Sequence, residues 1–262
     1  MTYPLLAFDI DGTLVEHGKP IDPPMVRVIE ELHALNWPMV IATARRRRSA
    51  LTRLEKMGEC FEDGIFNTGA STWKGESCVS AHILELKNLE NALALISEWD
   101  ELDFYSLALE DEGLSFSRYF NDQELLEWGV ERGDLCSFSD AVKRSPIRVC
   151  AWRARANLDP LAERLRTHVS GMNWQVTDGG ACLFGTSAGV GKGRALADYA
   201  RCEGFAADDV IAFGDDFSDV DMFKWAGKSV AMASSPSKVK AEAEVVLDGG
   251  LSTWIEHHLL KS

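Results

Sequence analysis

Short apolar runs and amphipathic segments alternate in the first part of the chain. Residues 3–8 are mainly apolar up to Asp9, which is typical of a strand buried on both faces of a sheet. Asp22 and the two prolines after it predict the start of a helix whose apolar residues recur at helical spacing. A second apolar run, Met39–Ala42, precedes a predicted helix at residues 49–57. The pattern therefore predicts strand, helix, strand and helix in that order.

The same alternation returns in the last third of the chain. A predicted helix at Lys192–Cys202 leads into an apolar run at 210–213, which is typical of another buried strand. A short helix at 219–225, a strand at 229–232 and a helix that begins near Ser235 follow. Alternating strands and helices predict an α/β fold, a doubly wound parallel sheet with helices on both faces.

The middle of the chain has a different pattern, with more polar strands that pair through hairpins. The predicted elements are a helix at 89–99, a strand near 104–109, a polar stretch at 121–140, a strand at 147–152, a helix at 160–169, and a hairpin of 174–176 with 181–184. Such a mixture indicates an α+β module inserted into the α/β fold. We therefore predict a core formed by residues 1–75 and 185–262 and an inserted cap domain at 76–184.

Composition and charge narrow the class of protein. The 262 residues, 46% apolar and 26% charged, suffice for one large domain or two modest ones. A formal net charge of −14 disfavours nucleic acid as the main partner. No apolar segment is long enough to span a bilayer, and the first residues lack the pattern of a signal peptide. Without C-x-x-C spacing, the six cysteines are expected to be reduced. We expect a cytoplasmic protein without a membrane partner, as a monomer or homodimer.

Polar residues follow three of the predicted apolar strands directly. They are Asp9, Thr43 and, after Gly214, Asp215. Open α/β sheets bind ligands at the carboxyl edge of their strands, so these side chains are expected to meet at one place. Asp9 and Asp11 form a close pair of like charges, which suggests that they bind a cation or share a proton. A carboxylate can also accept a phosphoryl group covalently, although D-x-D-G-T taken alone is equally typical of a turn.

Several motifs in this order resemble those of the haloacid dehalogenase superfamily. Two further segments are similar to those of its Cof-type phosphatases. The matching segments are Asp9-Ile10-Asp11-Gly12-Thr13-Leu14, Thr43-Ala44-Arg45, Lys192 within Gly191-Lys192-Gly193, Gly214-Asp215-Asp216-Phe217-Ser218-Asp219, and, for the Cof type, Asn67-Thr68-Gly69-Ala70 and Val230-Ala231-Met232-Ala233. The segments depart from the family pattern in places: Ala44 replaces Gly, Ser218 replaces Asn, and Ala233-Ser234-Ser235 stands where many relatives carry Gly-Asn-Ala, so that Ser234 replaces Asn.

The resemblance implies a division of roles among the carboxylates. Asp9 would attack phosphorus and form an aspartyl phosphate, and Asp11 would protonate the leaving oxygen and later activate water. Mg²⁺ would be held by Asp9, the backbone carbonyl of Asp11, Asp215 and, directly or through water, Asp219. Hard oxygen ligands favour Mg²⁺ over zinc, and the cation offsets the repulsion between the phosphate and its nucleophile.

The resemblance also assigns the basic residues. Thr43 and Lys192 would bind phosphate oxygens. Arg45, the first residue of the run Arg45-Arg46-Arg47-Arg48, is expected to face the substrate, whereas Arg46 and Arg47 are predicted to lie in solvent, as charge runs at helix starts usually do. The position of Arg48 is left open.

The predicted function is hydrolysis of a small phosphorylated metabolite, a sugar phosphate above other classes, with the cap recognising the organic group. Candidate cap contacts are Arg118, Tyr119, Trp152 and Trp174, although aromatic packing within the cap explains them more simply. A phosphomutase of the same superfamily is one alternative. A non-catalytic phosphate-sensing module is another, but such a module would be expected to lack Asp9, Asp11 or Lys192.

Overall fold

The computed structural model of the protein describes residues 3–99, 102–127, 130–144 and 146–261. Its strands are β1 (Leu5–Phe8), β2 (Met39–Ala42), β3 (Asp63–Phe66), β4 (Ser71–Lys74), β5 (Ser77–Ala81), β6 (Phe104–Ala108), β7 (Leu114–Phe116), β8 (Arg148–Trp152), β9 (Met172–Thr177), β10 (Cys182–Ser187), β11 (Val210–Gly214), β12 (Lys228–Ala231) and β13 (Val245–Val246). Its α-helices are α1 (Pro23–Ala34), α2 (Arg47–Leu54), α3 (Leu86–Ser97), α4 (Asp122–Glu127), α5 (Phe138–Lys143), α6 (Asp159–His168), α7 (Lys192–Cys202), α8 (Val220–Trp225), α9 (Ser237–Lys240) and α10 (Leu251–Ile255).

The first sheet has β1 near its middle. Its strand order is β13-β12-β11-β1-β2-β3-β4-β5, and the pairs from β13 to β3 are parallel, whereas β4 and β5 are added antiparallel at one edge. Every residue of β1 is buried because helices cover both faces of the sheet: α1, α2 and α10 pack on one side and α7, α8 and α9 on the other. The predicted doubly wound, mainly parallel architecture is confirmed.

Helix α1 matches its predicted apolar stripe except at the end. Met25, Val28, Ile29 and Leu32 are buried, but Leu35 is 46% exposed. The helix stops at Ala34, and Asn36 adopts a left-handed backbone with φ of 58°, a conformation that asparagine tolerates better than most residues. Leu35, which stands at the same helical spacing, therefore lies outside the buried stripe.

The second sheet is antiparallel, with strand order β7-β6-β8-β10-β9. Its two faces follow the period-two alternation of a strand. Along β8, Val149 and Ala151 face an apolar cluster with α3, α5 and α6, whereas Arg148 and Cys150 line a cavity on the other face. The predicted hairpin of β9 and β10 is present, and the inserted α+β module is confirmed as a separate sheet with its own helices.

The exact limits of the predicted cap, 76–184, stay a prediction. Strand β5 pairs with β4 in the first sheet, and β10 runs to Ser187 in the second. Among the residues that the structure describes, the helices are too short or too polar to cross a bilayer.

Candidate active site

The carboxyl ends of three neighbouring strands bring Asp9, Thr43 and Asp215 together. Strand β1 pairs in parallel with β2 on one side and with β11 on the other, so the residues that follow these strands share one edge of the sheet. All three side chains are buried. The backbone N–H of Asp9 donates to Phe213, and that of Thr43 donates to Ile65, which continues the ladder of hydrogen bonds into the site. Asp9, Asp11, Thr43 and Lys192 all line one cavity.

Lys192 is the first residue of α7 and is only 1% exposed. Its Nζ donates to Oδ1 of Asp9 at 2.7 Å and to Oδ1 of Asp219 at 2.6 Å. Burial alone would lower the pKa of Lys192, but the charges and hydrogen bonds of Asp219 and Asp9 outweigh burial and raise it above its usual value. The charged form of Lys192 is therefore favoured, and its ammonium group links the first and fourth motifs through Asp9 and Asp219.

Asp9, Asp215 and Asp219 form a buried acidic cluster whose potential ligand atoms all lie within 4.8 Å of one another. Burial and the neighbouring carboxylate of Asp219 raise the pKa of Asp215 to about 8. Burial also raises the pKa of Asp9, despite the opposing effect of Lys192. Three buried oxygen donors that repel one another form a donor set that fits a divalent hard cation.

The carboxylate of Asp219 is already fully engaged by the protein. Its Oδ1 accepts from Lys192, and its Oδ2 accepts the backbone N–H groups of Asp215 at 2.9 Å and of Asp216 at 3.1 Å. Asp215 is less committed: Oδ1 accepts a hydrogen bond from Thr13 at 3.3 Å, and Oδ2 lies 3.5 Å from Nε2 of His17. Asp219 thus fixes the loop after β11, while Asp215 retains lone pairs for a ligand.

The close approach of the first and fourth motifs explains why glycine follows Asp11. Gly12 has a φ of +87°, and a Cβ placed on it would lie 2.1 Å from Oδ2 of Asp215. A larger residue would therefore strain the backbone and push Asp215 out of the cluster. Gly12 and Thr13 are the residues of the first motif that hold Asp215 in position.

Asp11 lies beside the acidic cluster and pairs with arginine. Arg45 donates from Nε to Oδ2 at 2.5 Å and from Nη2 to Oδ1 at 2.8 Å, and Nε of Arg53 lies 3.6 Å from Oδ1. Burial acts to raise the pKa of Asp11, but the hydrogen bonds and charges of these arginines lower it overall. Arg45 lines the cavity and also contacts Thr43 and Ser49.

The prediction that Arg46 lies in solvent was wrong. Arg46 is 4% exposed; it donates to the backbone C=O of Glu112 at 2.7 Å and lies within ion-pair distance of the carboxylates of Glu112 and Asp134. Both carboxylate oxygens of Glu112 also accept the backbone N–H groups of Arg47 and Arg48 at 3.1 Å. The β6–β7 turn thus caps the start of α2 from the other sheet.

Arg47 is half-buried, with its guanidinium 5.0 Å from the centre of the Trp73 ring. Arg48, whose position the sequence left open, forms an ion pair with Asp134 and is not among the residues that line the cavity.

A cavity of about 720 Å³ lies between the carboxyl edge of the first sheet and the open face of the second. The side formed by the second sheet carries aromatic, hydroxyl and thiol groups. Its lining includes Phe104, Ser106, Phe116, Arg148, Cys150, Thr177, Cys182 and Phe184. None of the four cap candidates, Arg118, Tyr119, Trp152 and Trp174, lines it; Trp174 is a core residue and Tyr119 is 75% exposed.

Several residues that the fold brings to the site carry no sequence pattern that would have selected them. Thr13 was visible only as part of a motif, and His17 and Arg53 carried no pattern of their own. Arg148 is the first residue of the mainly apolar strand β8. A charged residue in such a strand is the sequence feature that could have marked it as a site residue.

The chain matches the family model of haloacid dehalogenase-like hydrolases over residues 6–249. Among curated proteins it is 23% identical to a pyridoxal phosphate phosphatase of Escherichia coli, with 99% of this chain and 100% of the relative covered. It is 27% identical to a phosphoglycolate phosphatase of Halobacterium salinarum, with 93% and 90% covered. Among solved structures, a sugar phosphatase of subclass IIB of this superfamily superposes with a TM-score of 0.81 at 22% identity, covering 97% and 98% of the two chains.

Proposed function

The chain belongs to the haloacid dehalogenase-like hydrolases and is a phosphomonoester hydrolase, and from that premise we propose that it works through a covalent phosphate on Asp9. The observation that carries the proposal is the buried contact of Lys192 with Asp9 at the floor of the cavity. Lys192 engages Oδ1 of Asp9, so Oδ2 is the oxygen left for attack on phosphorus. An anionic nucleophile needs such a cation beside it before it can approach an anionic ester.

In the first step, Oδ2 of Asp9 forms a bond to phosphorus while the bond from phosphorus to the alcohol oxygen breaks. Asp11 gives its proton to that oxygen, and the alcohol leaves. In the second step, Asp11 takes a proton from water, the water oxygen bonds to phosphorus, and the bond from phosphorus to Asp9 breaks. Inorganic phosphate is released and both carboxylates return to their starting state.

Arg45 links substrate binding to the protonation of Asp11. With no phosphate bound, Arg45 lowers the pKa of Asp11 and keeps it ionised. An arriving phosphate competes for the same guanidinium, because arginine binds phosphate and carboxylate oxygens through the same donors. Asp11 then loses part of its counter-charge, its pKa rises, and it takes up from water the proton that it later gives to the leaving oxygen.

Asp9, Asp215 and the backbone carbonyl of Asp11 would hold the divalent cation, with Asp219 as a more distant ligand because three hydrogen bonds already occupy most of its acceptor sites. We assign Mg²⁺, since all of these donors are oxygens. When bound, the ion supplies positive charge that offsets the repulsion between Asp9 and the phosphate. Thr43 and Lys192 are the proposed phosphate contacts.

The substrate is proposed to be a small phosphorylated metabolite. A cavity of about 720 Å³ has room for one, and two relatives are named for pyridoxal phosphate and for phosphoglycolate. The narrower expectation of a sugar phosphate stays a prediction.

The test is Asp9→Asn, with Asp208→Asn as a matched control at an exposed position of the first sheet's surface. We expect Asp9→Asn to fold, to lose at least about a thousandfold in kcat for a simple aryl phosphate, and to bind no beryllium fluoride, whereas the control keeps its rate. Release of free phosphate, rather than its transfer to a second sugar, separates the hydrolase from a phosphomutase. A rate for Asp9→Asn within tenfold of the parent would refute the covalent route.

A further inference from the structure

Arg148 differs in its pairing from the other cations of the cavity. Every other lysine or arginine that lines the cavity lies within 4.0 Å of a carboxylate, the pairs being Lys19 with Glu16, Arg45 and Arg53 with Asp11, Arg46 with Glu112, and Lys192 with Asp9. Arg148 is only 7% exposed, and within residues 3–99, 102–127, 130–144 and 146–261 it has no carboxylate at that distance. Among the described residues it is the cavity cation without a carboxylate within ion-pair distance, and Glu112 acts on it only from farther away.

The contacts of Arg148 leave part of its guanidinium unused. Nη1 donates to the backbone C=O of Ala44, and the guanidinium lies over the ring of Phe184 with its central carbon 4.5 Å from the ring centre. Nε is buried and has no hydrogen-bond partner. A buried charge without a counter-ion and a buried donor without an acceptor both destabilise a fold. Burial accordingly lowers the pKa of Arg148.

The position of Arg148 connects the open face of the second sheet with the phosphate site. Strand alternation directs Arg148 and Cys150 towards the cavity, while Val149 packs on the opposite face. The carbonyl that Arg148 contacts belongs to the residue between Thr43 and Arg45, so the guanidinium stands beside the proposed phosphate contacts. A molecule whose phosphate lies at Asp9 can therefore reach Arg148 with a second group.

We propose that Arg148 binds a second anionic group of the substrate, a carboxylate or a second phosphate, and so selects phosphate esters that carry one. The inference rests on the proposed function, since it places the phosphate of the substrate at Asp9. Nε of Arg148 has no acceptor among the described residues, so an oxygen of the second anion would accept its hydrogen bond. The negative charge of that anion would form an ion pair with the buried guanidinium. The hydroxyls of Ser106 and Thr177 line the same cavity and are further donors for such a group.

The test compares kcat/KM for matched esters with and without the second charge. The pairs are 3-phosphoglycerate against glycerol 3-phosphate and 6-phosphogluconate against glucose 6-phosphate, and glycerol 1,3-bisphosphate distinguishes a second phosphate from a carboxylate. In the parent chain we expect a charged member to be preferred by roughly tenfold to a hundredfold, the range that a charge-assisted hydrogen bond supplies. Arg148→Met should bring that ratio close to one, and Arg148→Lys should keep part of it.

Arg164→Met is the matched control, because Arg164 on α6 pairs with Glu98 at the end of α3 and does not line the cavity. The ratio of kcat/KM values for this variant should equal that of the parent. No preference for a charged ester in the parent chain, or an equal loss on charged and neutral esters in Arg148→Met, overturns the inference. If Arg148→Met does not fold, the test is inhibition of the parent by 3-phosphonopropionate, which carries a second anionic group, compared with propylphosphonate, which does not. Equal inhibition by the two compounds would contradict the role of Arg148. If hydrolysis requires Asp9 but shows no preference for esters with a second anionic group, only the inference about Arg148 is wrong. If activity survives Asp9→Asn, the proposed function itself is wrong.

Discussion

Replacing Lys192 with methionine removes the ammonium group that donates to both Asp9 and Asp219 in the acidic cluster of Asp9, Asp215 and Asp219. Methionine has a similar volume, so the change deletes charge and hydrogen bonds rather than packing. Breaking a buried ion pair by removing one partner costs about 3–5 kcal/mol of the free energy of unfolding. The control is Lys74→Met, since Lys74 and Glu203 form an exposed pair and such pairs contribute about 1 kcal/mol or less.

The cost of Lys192→Met is expected to depend on pH. The folded protein raises the pKa of Asp215 to about 8 and raises that of Asp9, both above their values in the unfolded chain. A carboxyl group with a raised folded pKa stabilises the fold fully below its unfolded pKa of about 4 and loses that contribution as pH rises through the folded value. Removing Lys192 raises both values further, so the variant should lose more stability than the parent between pH 4 and pH 8.

The assay is urea unfolding of the parent, Lys192→Met and Lys74→Met at pH 5 and pH 8, each with EDTA and with Mg²⁺. We expect a larger loss for Lys192→Met at pH 8 than at pH 5, partial recovery at pH 8 with Mg²⁺, and a small loss at both pH values for Lys74→Met. If Lys192→Met lowers the free energy of unfolding by less than about 1 kcal/mol, or by the same amount at both pH values, then Lys192 does not stabilise the acidic cluster.

Two further predictions concern the contact between the sheets and the metal. Glu112→Ala removes the acceptor of two backbone N–H groups at the start of α2 and a partner of Arg46, so it should lower the free energy of unfolding by about 2–3 kcal/mol. The control Glu110→Ala, at an exposed position of the same turn, should change that free energy by less than about 0.5 kcal/mol. Equal effects of the two substitutions in urea unfolding would contradict the capping role of Glu112. Chelation with EDTA should abolish phosphate release and Mg²⁺ should restore it, with Ca²⁺ a poor substitute because its larger and looser shell displaces Asp9; full activity after exhaustive chelation would rule out the cation.

The strand ends of the first sheet were predictable because their signal is local. An apolar run of four or five residues followed by a polar one specifies both a buried strand and a position at its carboxyl edge. Met39–Ala42 and Lys192–Cys202 have the bounds that the pattern predicted, and the strand-end residues Asp9, Thr43 and Asp215 lie at one edge of the sheet. Parallel pairing of neighbouring strands is enough to bring these residues together.

The charges between the two sheets were not predictable because their partners are distant in sequence. Arg46 lies in a run of four arginines, a pattern typical of solvent, and its carboxylate partner Glu112 is 66 positions away. Glu112 itself adopts a φ of 69°, which only the folded turn reveals. Arg148 was overlooked for the same reason: which of its neighbours carry carboxylates depends on tertiary packing and not on the strand in which it lies.

The distribution of charge in the cavity also connects the metal with the choice of substrate. Asp9, Asp215 and Asp219 oppose one ammonium group, so the floor of the site stays acidic until a cation is added. A phosphate ester with a second anion brings still more negative charge into a chain whose net charge is already −14. The cations that are held by carboxylates serve the phosphate site and its carboxylates, so they are less available to a second anion. Arg148, which has no carboxylate within ion-pair distance among the described residues, is the cation that remains for the second anion.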